Sequence, residues 1–137
     1  MLLTRECDYG IRIIRALSDG QKKTVAAVCK QERIPEPYAY KILKKLERAG
    51  YVQSIRGRIG GYVLVMDLKR HTMYDVAYAI DEKMLVFECV ANDDFCSFKF
   101  GDHPCKVHLE FDRIQERVVK ELKAKTLCEL VEDQILN

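Results

Sequence analysis

The residues of this 137-residue chain best suited to chemistry lie in one stretch, ECVANDDFCSFKFGDHPCKVHLEF, residues 88–111. It holds Cys89, Cys96 and Cys105, half of the six cysteines, with gaps of six and eight residues, and His108 follows in the run CKVH. Thiolates bind metals and react with oxidants, so three thiols in an acidic, turn-rich segment are vulnerable unless something holds them. In a reducing compartment, uneven spacing points to metal ligation or reactive thiols more than to a disulfide framework. Such a compartment is the expectation here. MLLTRECDYG puts an arginine and two acids where a secretory leader needs an apolar run, and no stretch approaches a membrane span of ~18 apolar residues. A cytoplasmic location with no membrane partner follows. Cys7, Cys29 and Cys128 fall within helical patterns and read as packing residues.

The overall charge of +2 hides an asymmetry: up to Arg70 the chain carries fifteen Lys+Arg against seven Asp+Glu, and after it eight against fourteen. A basic half suits a polyanion, and an acidic half avoids one. Length and 48% hydrophobic content suit one compact domain with a long helix or arm.

The basic half supplies the elements. Thr4 caps a first helix with apolar positions Ile11, Ile14 and Leu17 and a stop at Gly20, and Thr24 caps a second that runs to Ile34-Pro35. In EPYAYKILKKLERAGYV, Ala39, Ile42, Leu43, Leu46 and Ala49 form one apolar face, with Lys41, Lys44, Lys45 and Arg48 largely off it and Gly50 at the end. Two short helices joined by a tight turn, the second basic, form the helix-turn-helix pattern. The period then changes: Tyr51–Ile55 and Tyr62–Met66 flank RGRIGG, a hairpin with Arg56 and Arg58 at its tip. Followed by a strand where a nucleotide-binding fingerprint needs a helix, its glycines do not make one. The expected fold is mainly α with a small β-hairpin wing: a winged helix-turn-helix over residues 1–80, its last helix opened by a Thr72–Asp75 capping box. Residues 81–137 add the cysteine loop, a long amphipathic helix with Val107, Phe111, Ile114, Val118 and Leu122 at helical spacing, and a Thr126-capped terminal helix, Leu127–Leu136. The long helix suits pairing with a second copy, since two half-sites one DNA turn apart call for a twofold axis.

On duplex DNA, Tyr38, Tyr40 and Lys41 are the expected base-edge contacts and Lys44, Lys45 and Arg48 the phosphate contacts, with Arg56 and Arg58 in or near the minor groove. No nucleophile–base pair, phosphate loop or paired carboxylates point to an enzyme.

Together LTRECDYGIRII, IPEPYAYKILKKLERAGYV, SIRGRIGGYVL and the three cysteines before a long helix resemble the Rrf-two family of bacterial winged-helix transcription regulators, the IscR/NsrR/RirA-like iron-sulfur sensors. The likeness covers nearly the whole chain, although the cysteine gaps differ from the shorter spacings of the best-known members. It implies an iron-sulfur cluster on Cys89, Cys96 and Cys105 and a homodimeric regulator, expected to be a repressor of a DNA operator, that senses iron, redox state or nitric oxide. It also implies two alternative fourth ligands: His108 completing a 2Fe-2S site, or Asp8 reaching across the dimer to a 4Fe-4S site. The wider gaps are nearer those members for which a 4Fe-4S cluster is expected. Thiolate chemistry agrees with iron, and three ligands leave a replaceable fourth position. Zinc would also accept three thiolates and an imidazole, but structural zinc sites usually use close C-x-x-C pairs, absent here. A thiol-redox or partner-protein-controlled winged-helix regulator without a cluster is the alternative.

Overall fold

A computed structural model describes residues 4–84, 87, 89 and 105–135, the last four by backbone alone. Helix α1 (Arg5–Ala16) starts at Thr4, whose hydroxyl oxygen accepts the Cys7 N–H at 3.3 Å. Helix α2 (Val25–Glu32) starts the same way, with the Ala27 N–H donating to Thr24 at 3.1 Å. Each cap satisfies an N–H that a helix start leaves without an intrahelical partner, worth ~1 kcal/mol. α1 ends short of the expected Gly20 because the next side chains compete for the backbone: the Ser18 hydroxyl donates to the Arg15 carbonyl, and Asp19 accepts from the Gln21 N–H. After α2, Arg33 makes the left-handed turn (φ 56°) ahead of Ile34-Pro35. Helix α3 (Glu36–Arg48) then tolerates Pro37 in its first turn, where N–H groups lack partners anyway. It closes on Gly50 (φ 81°), with Gly50 N–H on the Glu47 carbonyl and Tyr51 N–H on the Leu46 carbonyl.

Ile13, Ile14 and Leu17 meet Val28 and the Ala39, Ile42, Leu43 and Leu46 face of α3, all of them fully out of water. The expected faces need two changes: Ile11 is only partly buried while Ile13 is fully so, and Ala49 lies exposed past the end of its helix. α1 also packs on α4 (Met73–Ile80), so closely that a Cβ at Gly10 would run into the Ile80 side chain. Arg15 of α1 and Glu32 of α2 make a two-pronged ion pair, with Glu32 only 5% exposed. A buried carboxylate needs such a partner to stay charged.

Strands β1 (Val52–Ile55) and β2 (Gly61–Leu64) pair antiparallel, Val52 opposite Leu64 and Ile55 opposite Gly61. Lys23 adds a rung by exchanging backbone hydrogen bonds with Tyr62. Only glycine fits at 61, because a Cβ there would stand 2.5 Å from the Lys23 carbonyl oxygen.

α4 opens as expected, with the Asp75 carboxylate accepting both the Thr72 N–H and its hydroxyl. Helix α5 (Lys106–Leu122) is the long amphipathic helix, and α6 (Leu127–Ile135) follows a Thr126–Glu129 box. Leu122 and Leu127 join the common core, and the Leu127 and Cys128 N–H groups bond to the His71 and Leu68 carbonyls, so α6 returns to the first part of the chain. The start of α5 is different: Val107 is 58% exposed, Phe111, Ile114 and Val118 are half-buried, and an apolar cleft of about 360 Å³ lies along Met73, Ile114, Val118 and Leu122. Among the described residues, no helix is long and apolar enough to cross a membrane.

Leu43→Ala is expected to cost ~3 kcal/mol in urea unfolding, from lost burial plus a cavity. At half-exposed Val65, replacement by alanine should stay within ~0.5 kcal/mol.

Candidate nucleic-acid interface and metal ligands

Burial of one side of α3 leaves the other free. Tyr40 (49% exposed), Lys41, Lys44 and Arg48 follow one another at helical spacing on the outer face, and Arg56 and Arg58 are exposed at the hairpin tip. Tyr38 is less free: its ring meets Tyr9 of α1 edge-on, with centroids 5.7 Å apart. Lys45, expected at a phosphate, is turned inward, its ammonium donating to the Ile80 carbonyl at 3.0 Å and pairing with Glu6 at 3.3 Å. Lys41 also pairs with Glu6, at 2.7 Å. The Lys41 hydrogen bond, with help from Lys45, holds the Glu6 carboxyl below its usual value despite partial burial.

The geometry of this surface is set by residues outside the expected contacts: Glu47, Ser54 and Lys22, and Glu6, whose place beside Asp8 suggests a substitute ligand instead. The Glu47 carboxylate accepts from both the N–H and the hydroxyl of Ser54, tying the last turn of α3 to β1 and fixing the angle between helix and wing. Lys22 donates to the Ile59 carbonyl at the wing tip, and Glu6 faces Lys41 and Lys45. Pairing across 37 residues leaves no periodic trace, although an acid among the cations of the last turns of α3, as at Glu47, is a usable hint.

The proposed ligands are not brought into contact with one another among the described residues. Cys105 is the N-cap of α5 and His108 its third residue, one helical turn apart. Both are half-buried, and among the described residues neither side chain has a hydrogen-bond partner. Cys89 is a half-buried free thiol, and Cys96 lies outside the described residues. Asp8 stands 55% exposed on α1, its carboxylate held by Arg12 at 3.0 Å. Among the described residues, no three His, Cys, Asp or Glu side chains converge as a metal site. Cys7 is fully buried, its sulfur beside the Thr4 hydroxyl, and burial pushes the Cys29 thiol pKa up, as suits inert packing residues.

Arg58→Glu should weaken binding to every duplex and flatten the dependence of log K on log salt by ~1 or more, one phosphate contact being worth ~0.9; unchanged affinity in filter binding would remove the wing from the interface. The Ser54 hydrogen bonds hold the Glu47 carboxyl below its usual 4.5, so the helix–wing tie is complete above that pH and fails as pH falls through the lowered value. Glu47→Ala should therefore speed amide exchange at Ser54 at neutral pH while leaving the α1–α3 core protected.

Known proteins bear on this geometry. The Rrf2 family model, described as "Iron-dependent Transcriptional regulator", matches residues 3–133. A chain of Aquifex aeolicus (strain VF5) named as an HTH-type transcriptional regulator is 26% identical over 116 residues, 85% of this chain and 80% of the relative. Among solved structures, T. potens IscR superposes with a TM-score of 0.75 at 16% identity, covering 98% of this chain and 88% of that one. CymR (YrzC), the global cysteine regulator of B. subtilis, gives 0.74 at 21% identity, covering 96% and 97%. The oxidized form of Staphylococcus aureus CymR gives 0.74 at 18%, with the same coverage. The wing, the basic helix and the match over nearly the full length lead to one conclusion: the chain belongs to the Rrf2 family of winged-helix transcriptional regulators.

Proposed function

We propose that the chain is a homodimeric repressor that binds an operator duplex through residues 1–80 and senses iron, redox state or nitric oxide through an iron-sulfur cluster in residues 81–137. The observation that carries this reading is the placement of Cys105 at the N-cap and His108 in the first turn of α5, both half-buried and without a hydrogen-bond partner among the described residues. The donor set fits: thiolates from Cys89, Cys96 and Cys105 are ordinary iron ligands, and an imidazole or carboxylate can complete the set. When bound, the cluster would supply an iron centre whose fourth ligand is readily replaced.

Of the two fourth ligands, His108 is favoured. It lies one helical turn from Cys105, whereas Asp8 must first give up Arg12. A 2Fe-2S site is the corresponding cluster. Cys105 would anchor the loop to α5, and the exposed Val107 with half-buried Phe111, Ile114 and Val118 would form the seam with a second copy, placing the two α3 helices one DNA turn apart. Tyr40, Lys41, Lys44 and Arg48 would meet the major groove, with Arg56 and Arg58 beside the minor groove. Thiol control without a cluster is the second reading, supported by the likeness to CymR, one form of which is oxidized, and by free Cys89 and Cys105.

Iron and acid-labile sulfide counts on protein purified without oxygen separate these readings. Two irons per chain, lost in His108→Ala and kept in Asp8→Ala, are expected. Four irons lost in Asp8→Ala would reverse the ligand choice, and a colourless protein after anaerobic reconstitution would move the cysteines to thiol or zinc chemistry.

A further inference from the structure

Glu6 places a negative charge against the DNA-reading helix. Its two carboxylate oxygens are divided between two ammonium groups one turn apart on α3, Oε1 to Lys41 at 2.7 Å and Oε2 to Lys45 at 3.3 Å. One anion spanning two lysines of a recognition helix occupies the role that a DNA phosphate would otherwise take. Lys45 has a further internal acceptor in the Ile80 carbonyl, but Lys41 has none among the described residues, and its side chain remains 58% exposed. Lys41 is therefore the cation whose availability Glu6 controls.

We propose that Glu6 is a specificity-determining residue, an internal counter-ion that withholds Lys41 from phosphates of arbitrary sequence and yields it only where an operator offers a better acceptor. Non-specific affinity comes from cations that displace condensed counterions from phosphates. A lysine already paired with a carboxylate gains little by exchanging it for a phosphate. A guanine edge presents two acceptors in fixed positions and repays the exchange, so the pair lowers background binding more than specific binding. With its lysine end more than half exposed, the ion pair is screened by solvent and can open when a better acceptor arrives. This inference rests on the DNA-binding reading alone and is independent of the cluster.

The test is Glu6→Gln in the full chain, which keeps the side chain's shape and removes its charge. Binding to a random-sequence duplex is measured between 50 and 200 mM salt, beside a duplex that the wild-type protein selects from a random pool. The slope of log K against log salt on random duplex should steepen by ~0.9, with affinity rising roughly tenfold at 0.1 M salt and the ratio of selected to random affinity falling. The double variant Glu6→Gln/Lys41→Gln should return the slope to the wild-type value. An unchanged slope in Glu6→Gln, an increase that persists in the double variant, or an equal return to the wild-type slope in the charge-matched control Glu6→Gln/Lys125→Gln, which would make the effect one of net charge, would overturn the proposal. If the wild-type protein selected no duplex from the pool and left the random duplex unbound, the DNA-binding reading itself would fail, an outcome distinct from failure at Glu6.

Discussion

The recognition helix can offer cations to a polyanion only because its opposite face is held out of water. Ala39, Ile42, Leu43 and Leu46 are fully buried among Ile13, Ile14 and Leu17, and α1 carries the load between α2, α3 and α4. Each large aliphatic side chain buried there contributes ~1.5–3 kcal/mol, whereas an exposed ion pair contributes ~0–1. Apolar packing therefore sets where α3 lies, and the polar ties refine its angle. Those ties sit at the helix ends, where a small rotation would displace the reading surface most: Lys45 on the Ile80 carbonyl, and Glu47 on Ser54 of the wing.

The same arrangement provides a physical route between the cysteine-bearing end of the chain and the outer face of α3. The Ile80 carbonyl gripped by Lys45 closes α4, and the cysteine-bearing segment begins directly after it. α5 packs on α4, and α4 packs on both α1 and α3. Gln115 of α5 donates to the Met84 carbonyl, and Phe87 stacks on Phe111, so α5 is fastened to the residues that follow α4. Under the proposed function, a change in how Cys105 is held at the start of α5 reaches the recognition helix through one intervening helix. Coupling energies of ~1–3 kcal/mol, enough for a transcriptional switch, do not require a longer path.

Much of the fold was legible because it is encoded locally. Thr4, Thr24, Thr72 and Thr126 announce helix starts by side-chain chemistry acting within three residues, and Gly50 announces a stop by its backbone freedom. The hairpin showed in the change of period around RGRIGG, and the family in the combination of helix, wing and cysteines. Illegible were the pairings set by tertiary packing: the Arg15–Glu32 ion pair, the inward turn of Lys45, the Glu6 bridge, and the close approach that reserves position 10 for glycine. The candidate ligands were legible as residue types, and the structure adds that Cys105 is the N-cap of the helix whose first turn carries His108.

The central claim is that the state of the cysteine loop sets affinity for DNA, and one comparison addresses it most directly. A duplex selected by the protein from a random pool would be titrated, at fixed salt and without oxygen, with cluster-loaded protein and with the same preparation after iron removal. The account predicts affinities that differ at least ~5-fold, the lower end of ordinary allosteric coupling. Equal affinities for protein shown to carry and then to lose its iron would contradict it, leaving a DNA-binding winged helix whose cysteines serve another purpose.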